Sequence, residues 1–246
     1  MKKPTIGVYS FSSCSGCQIS ILDLEDVIVE LLSNFNIKYF HLIQGENRMG
    51  EVDIAFVEGA ITTKEHLEEL KRIRDQSKIL VAIGACACTG GIPAMKSKMD
   101  PDELKKLVYK DASHIRSIRA QGVDRHVKVD HYVRGCPITK EEFLSTCISL
   151  LVGKKPYQRD YPVCTECRIK ENACLLEQGI PCLGPLAYMG CGAPCPSEGY
   201  PCFACRGEYS DARLKAYLKL LDEKGIKSKE IKEVFDKYVE DRYDIR

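Results

Sequence analysis

The stretch from Cys164 to Cys205 constrains this chain more than any other. It holds eight of the fourteen cysteines: Cys164, Cys167, Cys174, Cys182, Cys191, Cys195, Cys202 and Cys205. Glycine and proline punctuate the run, and neither a helical nor a strand period survives across it. Its large apolar side chains are too few for a core of its own, so the expectation is that thiolate-bound metal holds it together.

A length of 246 residues suits one large domain or a domain with an annex. The net charge of +1 gives nucleic-acid binding and polybasic membrane attachment no electrostatic support. The first residues, MKKPTIGVYSFSS, carry two lysines but no apolar signal-peptide core, and no window reaches the roughly 18 apolar residues of a membrane span. The expectation is a cytoplasmic protein with reduced thiols and no disulfide framework.

The first half alternates strand and helix signals. Strands are expected at 5–11, 37–43, 52–57, 79–83 and 126–133, and helices at 18–32, 63–74, 102–109 and 141–152. A long irregular connection is expected between Ala112 and Arg125. This order implies an α/β fold, a flavodoxin-like doubly wound parallel sheet at 1–153. A cysteine-rich domain of little regular structure follows at 154–209, and a helical tail at 210–246. In the tail Ser210 and Ser228 are N-cap candidates, Gly225 a helix end, and Ile231, Val234, Phe235 and Tyr238 one apolar stripe. That tail is expected to pack on the annex or on a partner chain.

Four cysteines of the first half follow strands: Cys14 and Cys17 after the first, Cys86 after the fourth, Cys136 after the last. In an open parallel sheet the carboxyl ends of the strands line one edge, where ligands bind. Cysteines far apart in sequence can therefore meet there. A four-iron cluster accounts for all four; a thioredoxin-like dithiol at Cys14/Cys17 and a structural zinc site remain open. Cys88 lies close enough to Cys86 to compete with it, and Cys147 reads as a small buried hydrophobe. In the annex, two four-iron clusters explain all eight cysteines. Two zinc ribbons explain the pairs Cys164/Cys167 and Cys202/Cys205 but say little about the four between. His41, His66, His114, His126 and His131 show no ligand spacing and read as structural or surface residues.

Cys14-Ser-Gly-Cys17-Gln, Val57-Glu58-Gly59, the run GACACTGG from Gly84 to Gly91, and Gly135-Cys136-Pro137 together resemble the small subunit of nickel–iron hydrogenases. The runs CLGP from Cys182 and GCGAPCP from Gly190 resemble its cytoplasmic, multi-subunit branch, the methyl-viologen-reducing hydrogenases and archaeal sulfhydrogenase delta subunits. The resemblance implies an electron-transfer subunit with three 4Fe–4S clusters and no catalytic residue of its own. Cys14, Cys17, Cys86 and Cys136 would hold the proximal cluster. Cys164, Cys167, Cys174 and Cys182 would hold the distal one, and Cys191, Cys195, Cys202 and Cys205 the medial one. Cys164 stands where many periplasmic relatives use histidine. Cys195 supplies a fourth medial thiolate that many relatives lack. The nickel–iron centre would sit on a partner large subunit, and electrons would pass to a further iron–sulfur or flavin subunit. Glu58 is a candidate to orient the cluster loop or the interface. A single-cluster subunit related to complex I and a zinc-stapled interaction module are the competing readings.

Overall fold

A computed structural model describes residues 3–96 and 99–226. Five parallel strands form one sheet in the order β2-β1-β3-β4-β5: β1 Thr5–Ser10, β2 Asn36–Phe40, β3 Val52–Glu58, β4 Ser77–Ile83 and β5 His131–Val133. The fold is α/β with helices on both faces, as the alternating pattern implies. Alternate residues of β4 divide between two cores: Val81 and Ile83 face one, Leu80 and Ala82 the other. That two-sided burial is why ILVAI reads as an unbroken apolar run.

Several boundaries differ from the sequence reading. The expected single helix at 18–32 is two, α1 Gly16–Leu22 and α2 Asp26–Ser33. The chain turns at Glu25, where φ is 52°, and Ile21, Leu24 and Leu31 all reach the same core. α3, Lys64–Asp75, starts at Thr63, whose side chain accepts the His66 amide at 3.1 Å. A short helix, α4 Gly84–Thr89, carries Cys86 and was hidden by its glycines and alanines. α5, Pro101–Val108, is capped by the Asp100 carboxylate. The 112–125 connection is irregular apart from one 3₁₀ turn at Val123–Arg125. β5 is shorter than expected; before it, the Asp130 amide donates to the Leu80 carbonyl and its carboxylate accepts the Leu80 amide, both at 2.9 Å, while also pairing with Arg74. α6, Lys140–Leu151, closes the sheet region.

The cysteine-rich stretch shares a core with the helix that follows it. It contains α7 Cys164–Ile169 and α8 Pro194–Ser197. Its Val163, Leu175, Leu183 and Leu186 are buried together with Leu214, Tyr217 and Leu221 from α9, Leu214–Glu223. The tail helix thus packs on the annex and supplies the large apolar side chains that the stretch lacks by itself. Ser228 and the Ile231–Tyr238 stripe lie outside the described residues.

Candidate metal centres

β1, β3, β4 and β5 end level with one another: Ser10 pairs with Glu58, Glu58 with Ile83, and Ile83 with Val133. The loops beyond this row bring Cys14, Cys86 and Cys136 near one another, with Cys17 against Gly84 at the same edge. Cys86 is pushed up to about 11 by burial and then by the charges of Cys136, Cys14 and Glu58. Cys136 is raised by burial and by Cys14 and Glu58 in turn. Cys17 is buried and raised by that burial, then by Glu58. Gly84 lies against its sulfur, at φ 80°; a Cβ there would stand 2.3 Å from Cys17 Sγ.

Glu58 is 2% exposed and ties the loop to the end of β3. Its Oε1 accepts the Cys17 amide at 3.0 Å and its Oε2 accepts Gln18 Nε2 at 2.7 Å. Cys88 does not compete with Cys86. It is buried on the inner side of α4, where its thiol donates to the carbonyl oxygens of Ala82 at 3.6 Å and Val133 at 3.9 Å. Cys147 is buried in the sheet core, as a small hydrophobe would be.

In the annex, α7 carries Cys164 and Cys167. Cys164 is pushed up to about 12 by burial and then by the charges of Cys182, Cys167 and Cys174. Asn172 Nδ2 donates to Cys167 Sγ at 3.6 Å. The other four thiols border a cavity of about 330 Å³ lined by Cys191, Cys195, Cys202 and Cys205, with Cys136 and Arg206. Glu166 joins the two halves, accepting the Gly190 amide at 2.9 Å with Cys191 Sγ at 4.0 Å from the same oxygen.

The thiol groups adjoin one another in one order. Cys136 and Cys205 line the same cavity, and burial pushes Cys205 up to about 11. The amide of Cys202 donates to Cys182 Sγ at 3.3 Å. At Gly184 a Cβ would lie 3.3 Å from Cys164 Sγ and 3.8 Å from Cys202 Cβ. The later half of the annex therefore stands between the sheet edge and the earlier half. Cys14 and Cys136 are exposed at one end of this line and Cys174 at the other.

These residues fit a multinuclear iron–sulfur group. All the donors are thiols, a backbone amide points at the Cys182 sulfur, and Gly84 and Gly184 lie beside others. Among the described residues, no three histidine, cysteine or acidic side chains stand close enough to hold a single ion. Cys136, Cys191, Cys195, Cys202 and Cys205 border a cavity instead. Buried thiols crowded together keep their protons unless a cation offsets the charge, which bound iron does.

Sequence reasoning missed Arg206, which lines the cavity and is 3% exposed. A cation directly after the C-x-x-C pair Cys202/Cys205 was the available signal. It also missed Glu142, Glu166 and Asn172, whose roles come from contacts across the chain. His131 is buried beside Arg134, and burial lowers it to about 4; His66 lies against the Phe11 ring. Neither belongs to a thiol group.

Residues 14–150 match the family model described as NADH ubiquinone oxidoreductase, 20 Kd subunit. The chain is 34% identical to sulfhydrogenase 2 subunit delta of Pyrococcus furiosus over 220 residues, covering 89% of this chain and 92% of that one. It is 36% identical to one subunit of the vhu-type F420-non-reducing hydrogenase of Methanocaldococcus jannaschii over 234 residues, 82% of this chain and 81% of that one. Among solved structures it is similar to a chain of an NAD+-reducing [NiFe]-hydrogenase, with a TM-score of 0.57 and 29% identity, covering 63% of this chain and 95% of that one. A chain of the actinobacterial-type NiFe-hydrogenase from Ralstonia eutropha H16 matches with a TM-score of 0.59 at 18% identity, over 84% of this chain and 79% of that one, which shows the fold.

Proposed function

The chain belongs to the NADH ubiquinone oxidoreductase 20 Kd subunit family and is a hydrogenase subunit of the nickel–iron type, and from that premise we propose that it relays electrons through three 4Fe–4S clusters. Cys14, Cys17, Cys86 and Cys136 hold the proximal cluster. Cys191, Cys195, Cys202 and Cys205 hold the medial one. Cys164, Cys167, Cys174 and Cys182 hold the distal one. When bound, each cluster supplies a one-electron carrier.

The observation that carries this reading is the unbroken line of thiols from Cys136 through Cys205 and Cys202 to Cys182. Exposure supports its direction. Cys14 and Cys136 lie open at the sheet edge, where a large subunit holding the nickel–iron centre would cover them. Cys174 lies open at the far end, where a further iron–sulfur or flavin subunit would take electrons in the cytoplasm. Among the described residues no helix is long and apolar enough to cross a membrane.

The chain's own residues do the holding and excluding. Glu58 fixes the Cys17 loop through two hydrogen bonds. The Leu183, Leu186 and Leu221 core keeps water from the buried side of the annex thiols. A single-cluster subunit would need only the family-matched region, which ends at residue 150 and leaves the eight annex cysteines outside it. The sulfhydrogenase relative matches over 89% of the chain, well past that point.

Metal analysis of the anaerobically purified complex tests the proposal. About twelve irons per copy of this chain, beyond those of its partners, are expected from three cubanes. Stoichiometric zinc in their place sinks it.

A further inference from the structure

Arg206 follows Cys205 directly and shares the wall of the cavity bordered by Cys191, Cys195, Cys202 and Cys205. Its hydrogen bonds run to groups other than these sulfurs. Nε donates to the carbonyl oxygens of Tyr188 at 3.1 Å and Met189 at 3.0 Å, and Nη1 donates to that of Arg134. Nη2 donates to Glu142 Oε1 at 2.9 Å. The guanidinium is therefore clamped by the annex on one side and by β5 and α6 on the other, and it cannot swing away. Gly190, at φ 120°, leaves it room: a Cβ there would stand 2.5 Å from Nη2.

The clamp is also polarised. Glu142 lies 2.8 Å from Nη2 and its side chain is 23% exposed, against 3% for Arg206. The negative end stands away from the thiol cavity, whose wall includes Arg206 and not Glu142. The positive end faces the enclosed thiol cavity, where screening is weak. Arg134 adds a second buried cation behind it, held between the rings of Tyr132 and Tyr188 at 4.6 and 4.3 Å. Consistent with this, Arg206 opposes the burial-driven rise at both Cys191 and Cys205.

We propose that Arg206 is a charge-positioning residue for the medial centre, whose clamped cation stabilises the reduced form there and raises its reduction potential. This rests on the relay reading above. Reduction adds one electron and no bond to a group already carrying four thiolates, the electron arriving from one neighbouring centre and leaving to the other. A buried cation beside it favours the more negative state. Arg206 sets the medial centre's potential above the value that its four thiolates alone would give it.

The test is a spectroscopic redox titration of the intact, anaerobically purified complex, comparing Arg206→Gln and Arg206→Lys with the native chain. In Arg206→Gln one of the three midpoints moves negative while the other two hold. In Arg206→Lys, which keeps the charge but cannot reproduce the guanidinium's hydrogen bonds, most of that shift is restored. An unchanged midpoint in Arg206→Gln overturns the proposal, as do equal shifts in both variants, since a purely structural clamp would suffer equally from either. Should Arg206→Gln fail to assemble, Glu142→Gln carries the test: it keeps the cation and removes its counter-charge, so the same midpoint moves positive, and a static or negative response overturns the idea. Iron content separates the two levels. A native complex without three clusters' iron defeats the relay reading itself, whereas full iron with unmoved midpoints defeats only the role of Arg206.

Discussion

The backbone amide of Cys202 donates a hydrogen bond to the sulfur of Cys182, 3.3 Å away and buried from solvent. The two residues belong to different thiol groups, so this bond fixes the distance between them with main chain rather than with flexible side chains. An amide aimed at sulfur also favours the more anionic state of whatever that sulfur ligates. At the other junction Cys136 and Cys205 share the wall of one cavity.

At the sheet edge the tightest point is Gly84. Its φ of 80° and the 2.3 Å approach of a hypothetical Cβ to Cys17 Sγ leave no room for a side chain. Gly84→Ala is expected to displace Cys17 and remove about four of about twelve irons, leaving the signals of the annex centres in place. Iron analysis with low-temperature spectroscopy of the complex checks this.

Glu58 accepts two hydrogen bonds with its two carboxylate oxygens. Glu58→Gln turns one acceptor into a donor that faces another donor in a buried site, which costs about 1–3 kcal/mol. It also removes a negative charge near Cys17, Cys86 and Cys136, so the midpoint of the proximal centre is expected to rise. A lowered melting temperature together with a positive shift confined to one centre is the expected outcome.

The annex depends on the helix after it. Leu221 is fully buried against Leu183, Leu186 and Tyr217. Leu221→Ala is expected to cost about 2–5 kcal/mol, and to speed the loss of annex iron to a chelator. The proximal centre should be lost no faster than in the native chain.

The sheet region has a separate acid sensitivity. Burial holds His131 at about 4, well below its ordinary value near 6.5. Because its pKa is depressed in the fold, the unfolded chain binds the extra proton first. Stability from the neutral imidazole is complete above about pH 6.5 and is lost as pH falls toward 4, amounting to about 3 kcal/mol. His131→Phe, if accommodated, should flatten that part of the melting-temperature profile relative to the native chain.

The parallel sheet was legible because strand and helix signals alternate and β4, buried on both faces, reads as an unbroken apolar run. The meeting of Cys14, Cys86 and Cys136 followed from topology alone, since parallel strands must end on one edge. The break at Glu25 was not legible, because the apolar period runs through it and the turn is imposed by the core. Nor was the annex core, whose largest members, Tyr217 and Leu221, lie outside the cysteine-rich stretch. Arg206 and Glu142 are 64 residues apart, and no local pattern joins them.

The central claim is that sequence order and electrical order differ: the later annex group, Cys191 to Cys205, occupies the middle of the relay. Iron-edge anomalous diffraction from crystals of the anaerobic complex tests it most directly, because it locates each metal group independently of the protein trace. The account predicts three iron positions along this chain, with the middle one ligated by Cys191, Cys195, Cys202 and Cys205. A middle position ligated by Cys164, Cys167, Cys174 and Cys182, or fewer than three iron positions in the chain, would contradict it.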